Sequence, residues 1–352
     1  MQFCLKNQSI VSSNLPLTFL INHFFIVIFM SLFVKIAHFI IEHKLILPNQ
    51  KMVIGFSGGP DSVFLVHALL DLKKTIPFSL HLAHLNHQWR DAALKEAQFC
   101  SEFAQACQLP ITLGLAHNFS STLKFNGSKE EFARNMRRAF FKQTMLETKS
   151  NVLALGHHAD DQLETFFIRL MRGTTLSGIK GMLPQENEII RPLLNLSKKE
   201  ILAFLHEHNI AYCNDETNES DLFLRNRIRN TLIPAAEKTD NRFKTNSLRA
   251  IAHLADVEEY LTLHTKNLFD TLCTLIDNKR WLCIKQFLTI APLMQHRIIM
   301  HWLYTEKVPF VPSEKLIVEI VRFLIHAKST THTIKNWHIY KEKSQATIQF
   351  KN

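Results

Sequence analysis

"MVIGFSGGPDSVFLVHAL", Met52 to Leu69, halts an apolar run at two glycines, a proline and an aspartate, then resumes apolar residues at helical spacing. The run reads as a buried strand that delivers the chain to Ser57. Gly58 and Gly59 open backbone conformations closed to other residues and allow a ligand to approach the main chain closely. A helix beginning near Asp61 or Ser62 then presents free N–H groups and the positive end of its dipole. Together these features make an anion cradle. The bland alternative is a plain strand-to-helix turn, with Pro60 in the first turn and Asp61 or Ser62 as the cap. The loop has neither the GxxxxGK[ST] spacing and lysine of a Walker A motif nor the GxGxxG of dinucleotide folds.

Working outward, short apolar runs alternate with helical patterns. "SLHLAHL", "ITLGLA" and "VLALGH" read as further strands, and "SVFLVHALLDL", "DAALKEAQFCSEFAQA" and "SKEEFARNMRRAFFKQTMLE" as the helices between them. That alternation predicts right-handed βαβ units and an α/β fold with a doubly wound, mainly parallel sheet. Ligands of such sheets bind beyond the carboxyl ends of the strands. In "SKKEILAFLHEH", Ser197 and Glu200 form a capping-box pattern, which is structural. Beyond Lys244 the strands give way to a helix with Leu248, Ile251, Leu254 or Ala255, and Leu261 as its buried stripe. "HIYKEKSQATIQF" alternates as one or two short strands at the end. The expected division is an apolar extension at 1–29, a catalytic domain at 30–244, and a smaller, mostly helical domain at 245–352 that ends in a short β segment.

The formal net charge of +10 favours a polyanionic partner, nucleic acid first, although a solvated basic surface explains the same number. The six cysteines include no CxxC pair and no zinc-like spacing, which fits reduced thiols in a cytoplasmic protein. Cys100 and Cys107 read as small hydrophobes on a helix face. Residues 15–41 are long and apolar enough for a membrane-span candidate, but Asn22 and His23 interrupt them. The preferred reading starts the native protein at Met30, so that Phe33, Ile36, Ile40 and Leu47 share one side of an amphipathic helix.

Three other stretches carry charge in patterns that suit chemistry. In "GHHADDQLET", a strand ends at Gly156 and a helix begins near Ala159, so Asp160, Asp161 and Glu164 gather on a helical face at a strand's carboxyl end. Such a cluster can hold Mg²⁺ or an ammonium group; the bland alternative is dipole-favoured acids in a first helical turn. His157 and His158 beside them raise a metallohydrolase as a rival, which the phosphate loop disfavours. Arg134 and Arg137 on "EEFARNMRR" can grip carboxylate or phosphate, or else form a solvated face paired with Glu130 and Glu131. In "LRNRIRN", Arg225 and Arg229 share a face while Arg227 points elsewhere, as a phosphate-binding strip or a solvated helix would have them. His84 and His87 flank the end of the second strand and line a cleft or satisfy the fold.

"SGGPDS" matches the SGGxDS signature of the PP-loop ATP pyrophosphatases. "HLNHQWR", "EEFARNMRR", "GHHADDQLET" and "RNRIRNTLIP", with "MRGTTLSGIKGM" and "RPLL", follow in the order and approximate spacing of one branch of them. Over roughly Ser31 to the end, the chain resembles the tRNA(Ile)-lysidine synthases.

The resemblance implies an adenine nucleotide alpha hydrolase-like fold and a ligase that joins L-lysine to C2 of the wobble cytidine in tRNA(Ile) with a CAU anticodon. ATP is the implied co-substrate and Mg²⁺ the implied cofactor. It implies ATP binding by Ser57, Gly58, Gly59, Pro60, Asp61 and Ser62, and metal binding by Asp61 and Asp160. Asp161 and Glu164 are expected to hold the lysine, Arg134 to contact the intermediate or the lysine carboxylate, and Arg225, Arg227 and Arg229 to contact tRNA or phosphate. Asp61, Arg134, Asp160, Asp161 and Glu164 make up the expected catalytic set. No protein partner is evident, and a homodimer is left open.

Three departures qualify the match. Trp89 replaces the usual leucine, "DETN" at 215–218 replaces DxSN, and the chain ends earlier than long members do, which implies that a full third domain is missing. Two other classes share parts of the pattern. Another PP-loop enzyme is one, but a thiolase predicts paired cysteines and an amidating synthetase an ammonia-generating partner. A catalytically silent tRNA-binding protein is the other, and the intact loop and carboxylate cluster weigh against it.

Overall fold

The computed structural model describes residues 32–86, 92–120, 129–214, 223–310, 312–326 and 330–350. The expectations for residues 1–29, His87, Trp89 and 215–218 lie outside the described residues. The chain forms two compact units that divide at Ile251 and Ala252.

The first unit begins with helix α1 (32–42) and continues through β1 (Lys51–Gly55), α2 (Pro60–Leu72), β2 (Ser79–Asn86), α3 (Ala92–Ala106) and β3 (Ile111–Leu115). It goes on with α4 (His117–Ser120), α5 (Lys129–Thr148), β4 (Val152–Ala154), α6 (Ala159–Met171) and α7 (Leu176–Ile179). A β5 (Gln185–Glu186) and β6 (Ile189–Ile190) hairpin leads into α8 (Lys198–Glu207), α9 (Leu224–Arg227) and α10 (Ile233–Thr239).

Its sheet runs β3-β2-β1-β4-β6-β5, parallel except for the β5–β6 pair. β1 lies between β2 and β4 and is covered on both faces, as its short, continuously apolar sequence requires. Met52 and Ile54 face a core built with α1, α2, α3 and α8, whereas Val53 joins Met136, Phe140 and Phe141 of α5 on the opposite face. This is the period-two division of a buried strand between two helical layers. In α1, Ile36 and Ile40 are buried as expected, but Leu47 lies past the helix and is 58% exposed.

α9 and α10 are joined by a π-helical segment, Ile228–Leu232, just before Pro234. Proline cannot donate to the carbonyl four residues back, and a widened turn accommodates that loss. Leu163 of α6 packs with Ile228, Ile233 and Ile251, so this irregular helix is fastened across α6.

The second unit contains most of α11 (Phe243–Leu272), then β7 (Cys273–Ile276), β8 (Lys279–Cys283), α12 (Ile284–Phe287), α13 (Pro292–Thr305) and α14 (Glu314–His326). It ends with β9 (Thr331–Ile334), β10 (Trp337–Glu342) and β11 (Gln345–Phe350). Helices outweigh strands in this unit as expected, but its β part is larger than a short terminal segment, because five strands form an antiparallel sheet in the order β7-β8-β11-β10-β9. Its first hairpin turns at Asp277 and Asn278, both at positive φ, the two-residue geometry that matches strand twist. Among the described residues, no helix is long and apolar enough to cross a membrane.

The sheet order reverses direction between β1 and β4, and the loops following these two strands meet there. A methyl group added to Gly156 would stand 3.1 Å from the carbonyl carbon and oxygen of Asp61 and 3.3 Å from the Ser62 nitrogen. Those atoms are main chain and cannot swing aside. Gly156→Ala is therefore expected to cost about 1–3 kcal/mol, read as a lower urea midpoint.

Candidate active site

The loop after β1 is built by its own serines. Ser62 donates to the Gly59 carbonyl at 2.9 Å, its hydroxyl accepts from the Ser57 N–H at 3.2 Å, and Ser57 Oγ accepts from the Gly59 N–H at 3.2 Å. Gly58 has φ of +79°, in the left-handed region, and a side chain there would press on Cys100 and Cys213. The helix starts one residue earlier than the sequence suggests, with Gly59 as its cap and Pro60 in its first turn, and neither Asp61 nor Ser62 caps it. The loop is thus braced by its own hydroxyls, at a strand-to-helix junction suited to an anion.

α6 begins at Ala159 as expected, with Asp160 and Asp161 in its first turn. The three carboxylates then part company. Asp160 accepts from the Lys198 N–H at 2.7 Å and pairs with Lys244 at 3.1 Å. Burial alone would raise the Asp160 carboxyl, but these two cationic or N–H partners outweigh it and hold it below the usual range. Asp161 accepts from the His158 N–H at 3.0 Å, and Arg229 lies 3.8 Å away.

Glu164 is 1% exposed and gripped by two arginines. Arg225 Nε donates to it at 2.9 Å, and Arg229 does so twice, at 2.5 and 3.1 Å. Arg225 and Arg229 do share a face, as their spacing suggests, but that face turns inward onto α6; Arg227 is exposed. Two of the three arginines therefore clamp a buried carboxylate rather than lie on a solvated helix.

Asp61 pairs with Lys198 Nζ at 2.6 Å. His158, 4% exposed, lies 3.7 Å from Asp61, 3.7 Å from Asp160 and 3.4 Å from Asp161, so one ring touches three carboxylates. His157 is neutral: burial pushes it down to about 4, and Arg191, Arg225 and Arg134 oppose a further positive charge. His84 is a buried fold residue with Nδ1 3.0 Å from the Phe56 carbonyl. Lys198, Lys244 and the central place of His158 went unmarked in the sequence, since a lysine at the start of an ordinary capped helix carries no local signal.

Arg134 and Arg137 reach solvent, and neither makes an ion pair among the described residues. Packing around the guanidinium lowers the proton affinity of each. Arg138, Arg225, Arg137 and Arg191 lower Arg134 further, and Arg225 lowers Arg137. A field made by like charges, beside carboxylates already paired, suits a bound anion.

Residues 31–236 match the PP-loop domain family ATP_bind_3. The chain is 34% identical to the tRNA(Ile)-lysidine synthase of Petrotoga mobilis over 61% of its length and 69% of the relative's. The chain belongs to the tRNA(Ile)-lysidine synthase family of PP-loop proteins. It is also 30% identical to the bifunctional protein TilS/HprT of Listeria monocytogenes, over 79% of this chain, and spans 44% of that relative's length. The fold resembles that of the U34-tRNA thiolase NcsA from Methanococcus maripaludis, which was solved with its [4Fe-4S] cluster. That match has a TM-score of 0.56 at 19% identity and covers 65% of this chain and 79% of the other. The described residues contain no group of three or more His, Cys, Asp or Glu side chains that could hold a metal.

Two predictions follow from the ion pairs and the neutral histidine. Replacing Arg225 and Arg229 by alanine together leaves Glu164 buried without a counter-ion. The expected loss is about 3 kcal/mol, the low end for a broken buried pair because the guanidiniums are partly solvated, measured by urea denaturation. His157 has a folded value near 4 against 6.5 in a free chain, so its contribution is complete above 6.5 and is lost as pH falls toward 4. Stability should therefore rise with pH across that window. His157→Gln should flatten the slope in part, the remainder coming from His67, His81, His84 and His301, which burial lowers in the same sense.

Proposed function

We propose that this protein ligates L-lysine to C2 of the wobble cytidine of CAU-anticodon tRNA(Ile), with ATP cleaved to AMP and pyrophosphate. One observation carries the reading: a preformed phosphate loop, a carboxylate helix and an arginine field meet at the switch point of a PP-loop fold. The names of the chain's relatives supply the substrates.

The cytidine C2 oxygen attacks the α-phosphate of ATP, forming an adenylated base and releasing pyrophosphate. The lysine amine then adds at C2 and AMP departs. The N–H groups of Ser57 to Ser62 receive the charge gathering on pyrophosphate, a matter of positioning and electrostatics. Mg²⁺ is commonly held by one or two carboxylates together with substrate phosphates, and Asp61 offers one at the loop. There the ion would offset charge on the phosphates. Asp160 does not fit a metal ligand, because its two oxygens serve Lys198 and Lys244.

For the lysine substrate, Asp161 is the carboxylate that suits the ammonium group. Glu164, already neutralised by two arginines, positions Arg225 and Arg229. Arg134 and Arg137 suit the substrate carboxylate or the phosphate of the adenylate. Arg227, exposed on α9, is the one of the three arginines left to meet tRNA phosphate.

The test combines the protein with CAU-anticodon tRNA(Ile), ATP, Mg²⁺ and labelled lysine, and follows label in tRNA alongside AMP. Incorporation should require every component and fall about 10²-fold or more in Asp61→Ala. AMP release without lysine in the tRNA would assign the site to another substrate. Neither product from folded protein would leave a tRNA-binding module.

A further inference from the structure

The loop after β1 lacks the lysine with which Walker-type loops meet the outer phosphates of a nucleotide. We infer that Lys198, from a distant part of the chain, supplies that cation: its ammonium group contacts the β- and γ-phosphates of bound ATP. The inference rests on the ATP-binding reading of the same site and adds a residue to it.

Three contacts support the assignment. Lys198 Nζ lies 2.6 Å from Asp61 Oδ1, so it already stands at the mouth of the phosphate loop. Both side chains remain about a third exposed, which leaves the ammonium group in reach of an incoming ligand. The main chain of Lys198 is fixed separately, because its N–H donates to Asp160 Oδ2 at 2.7 Å and the neighbouring Leu196 carbonyl accepts from the Ala159 N–H at 2.8 Å. Asp160 thus acts as a positioning residue that holds the root of the lysine while its tip reaches the loop.

Among the described residues, Asp61 is the only anion bonded to Lys198 Nζ. A triphosphate brings several, and a compact ammonium group on a four-carbon stem can move to them without a backbone change. Asp61 is then released toward the other cation that the loop is proposed to hold. AMP lacks the outer phosphates and gains nothing from the lysine.

The experiment measures binding of α,β-methylene-ATP and of AMP to the full chain by calorimetry, with Lys198→Met, Lys198→Arg and the Asp61→Asn background. Lys198→Met keeps the apolar stem. It should weaken the triphosphate analogue about 10- to 100-fold, the range of a charged hydrogen bond, and leave AMP within about twofold. Lys198→Arg should recover most of the loss, and the loss should persist in Asp61→Asn.

Equal weakening of both nucleotides would overturn the inference in favour of a structural role. Loss confined to chains that keep Asp61 would overturn it in favour of simple neutralisation of that carboxylate. An unchanged affinity in Lys198→Met would overturn it alone. A wild-type protein that binds neither nucleotide would overturn it together with the ATP reading.

Discussion

The approach of Gly156 to the main chain of Asp61 and Ser62 is the contact on which the rest of the site depends. At that point the loops following β1 and β4 touch backbone to backbone, and even a methyl group added at Gly156 would press on the main chain opposite. The contact sits at the reversal of strand order, where the helices on either side diverge and leave a crevice. It brings the anion loop and the carboxylate helix within one ion-pair distance of each other, as the approach of His158 to Asp61 and Asp161 records. A looser junction would keep the same residues and lose their geometry.

Around this junction the charges are sorted rather than mixed. Glu164 is enclosed and held by two arginines, Asp160 by a lysine and a backbone N–H, and Asp61 by Lys198. Arg134 and Arg137 lie in the field of other arginines. Buried carboxylates with their own partners keep the fold together, while unbalanced positive charge is held where solvent and a ligand can reach it. The neutrality of His157 follows from the same imbalance, since a further proton would sit among three arginines.

Much of the fold was legible because β1 is a strand that no other period fits and because its glycines interrupt it at one place. The start of α6 at Ala159 and the Ser197–Glu200 capping box were readable for the same local reason. The partners of the carboxylates were not. Spacing places Asp160, Asp161 and Glu164 on neighbouring helical positions, but it says nothing of which approaching segment brings a cation. Lys198 is 137 positions from Asp61, and Arg229 is 65 from Glu164. Long-range pairs of this kind are set by how α8 packs on α2 and how α9 and the π-helical segment after it pack on α6. The β7–β8 hairpin was missed for a different reason: its signal is a pair of positive-φ turn residues, Asp277 and Asn278, inside a stretch whose apolar pattern runs on from a long helix.

Holding the site's own charges in pairs has a consequence for the proposed chemistry. A site that met ATP with unpartnered lysines and arginines would have to reorganise them during the reaction, at a cost in rate. Here most of that organisation is completed on folding: the serines brace the loop, Asp160 anchors the root of Lys198, and Glu164 fixes Arg225 and Arg229. What remains in the proposed reaction is for substrate to meet groups already in place, phosphate at Lys198 and ammonium at Asp161. Groups fixed on folding allow one crevice to serve both displacements of the proposed reaction, the first releasing pyrophosphate and the second AMP, without rebuilding itself between them.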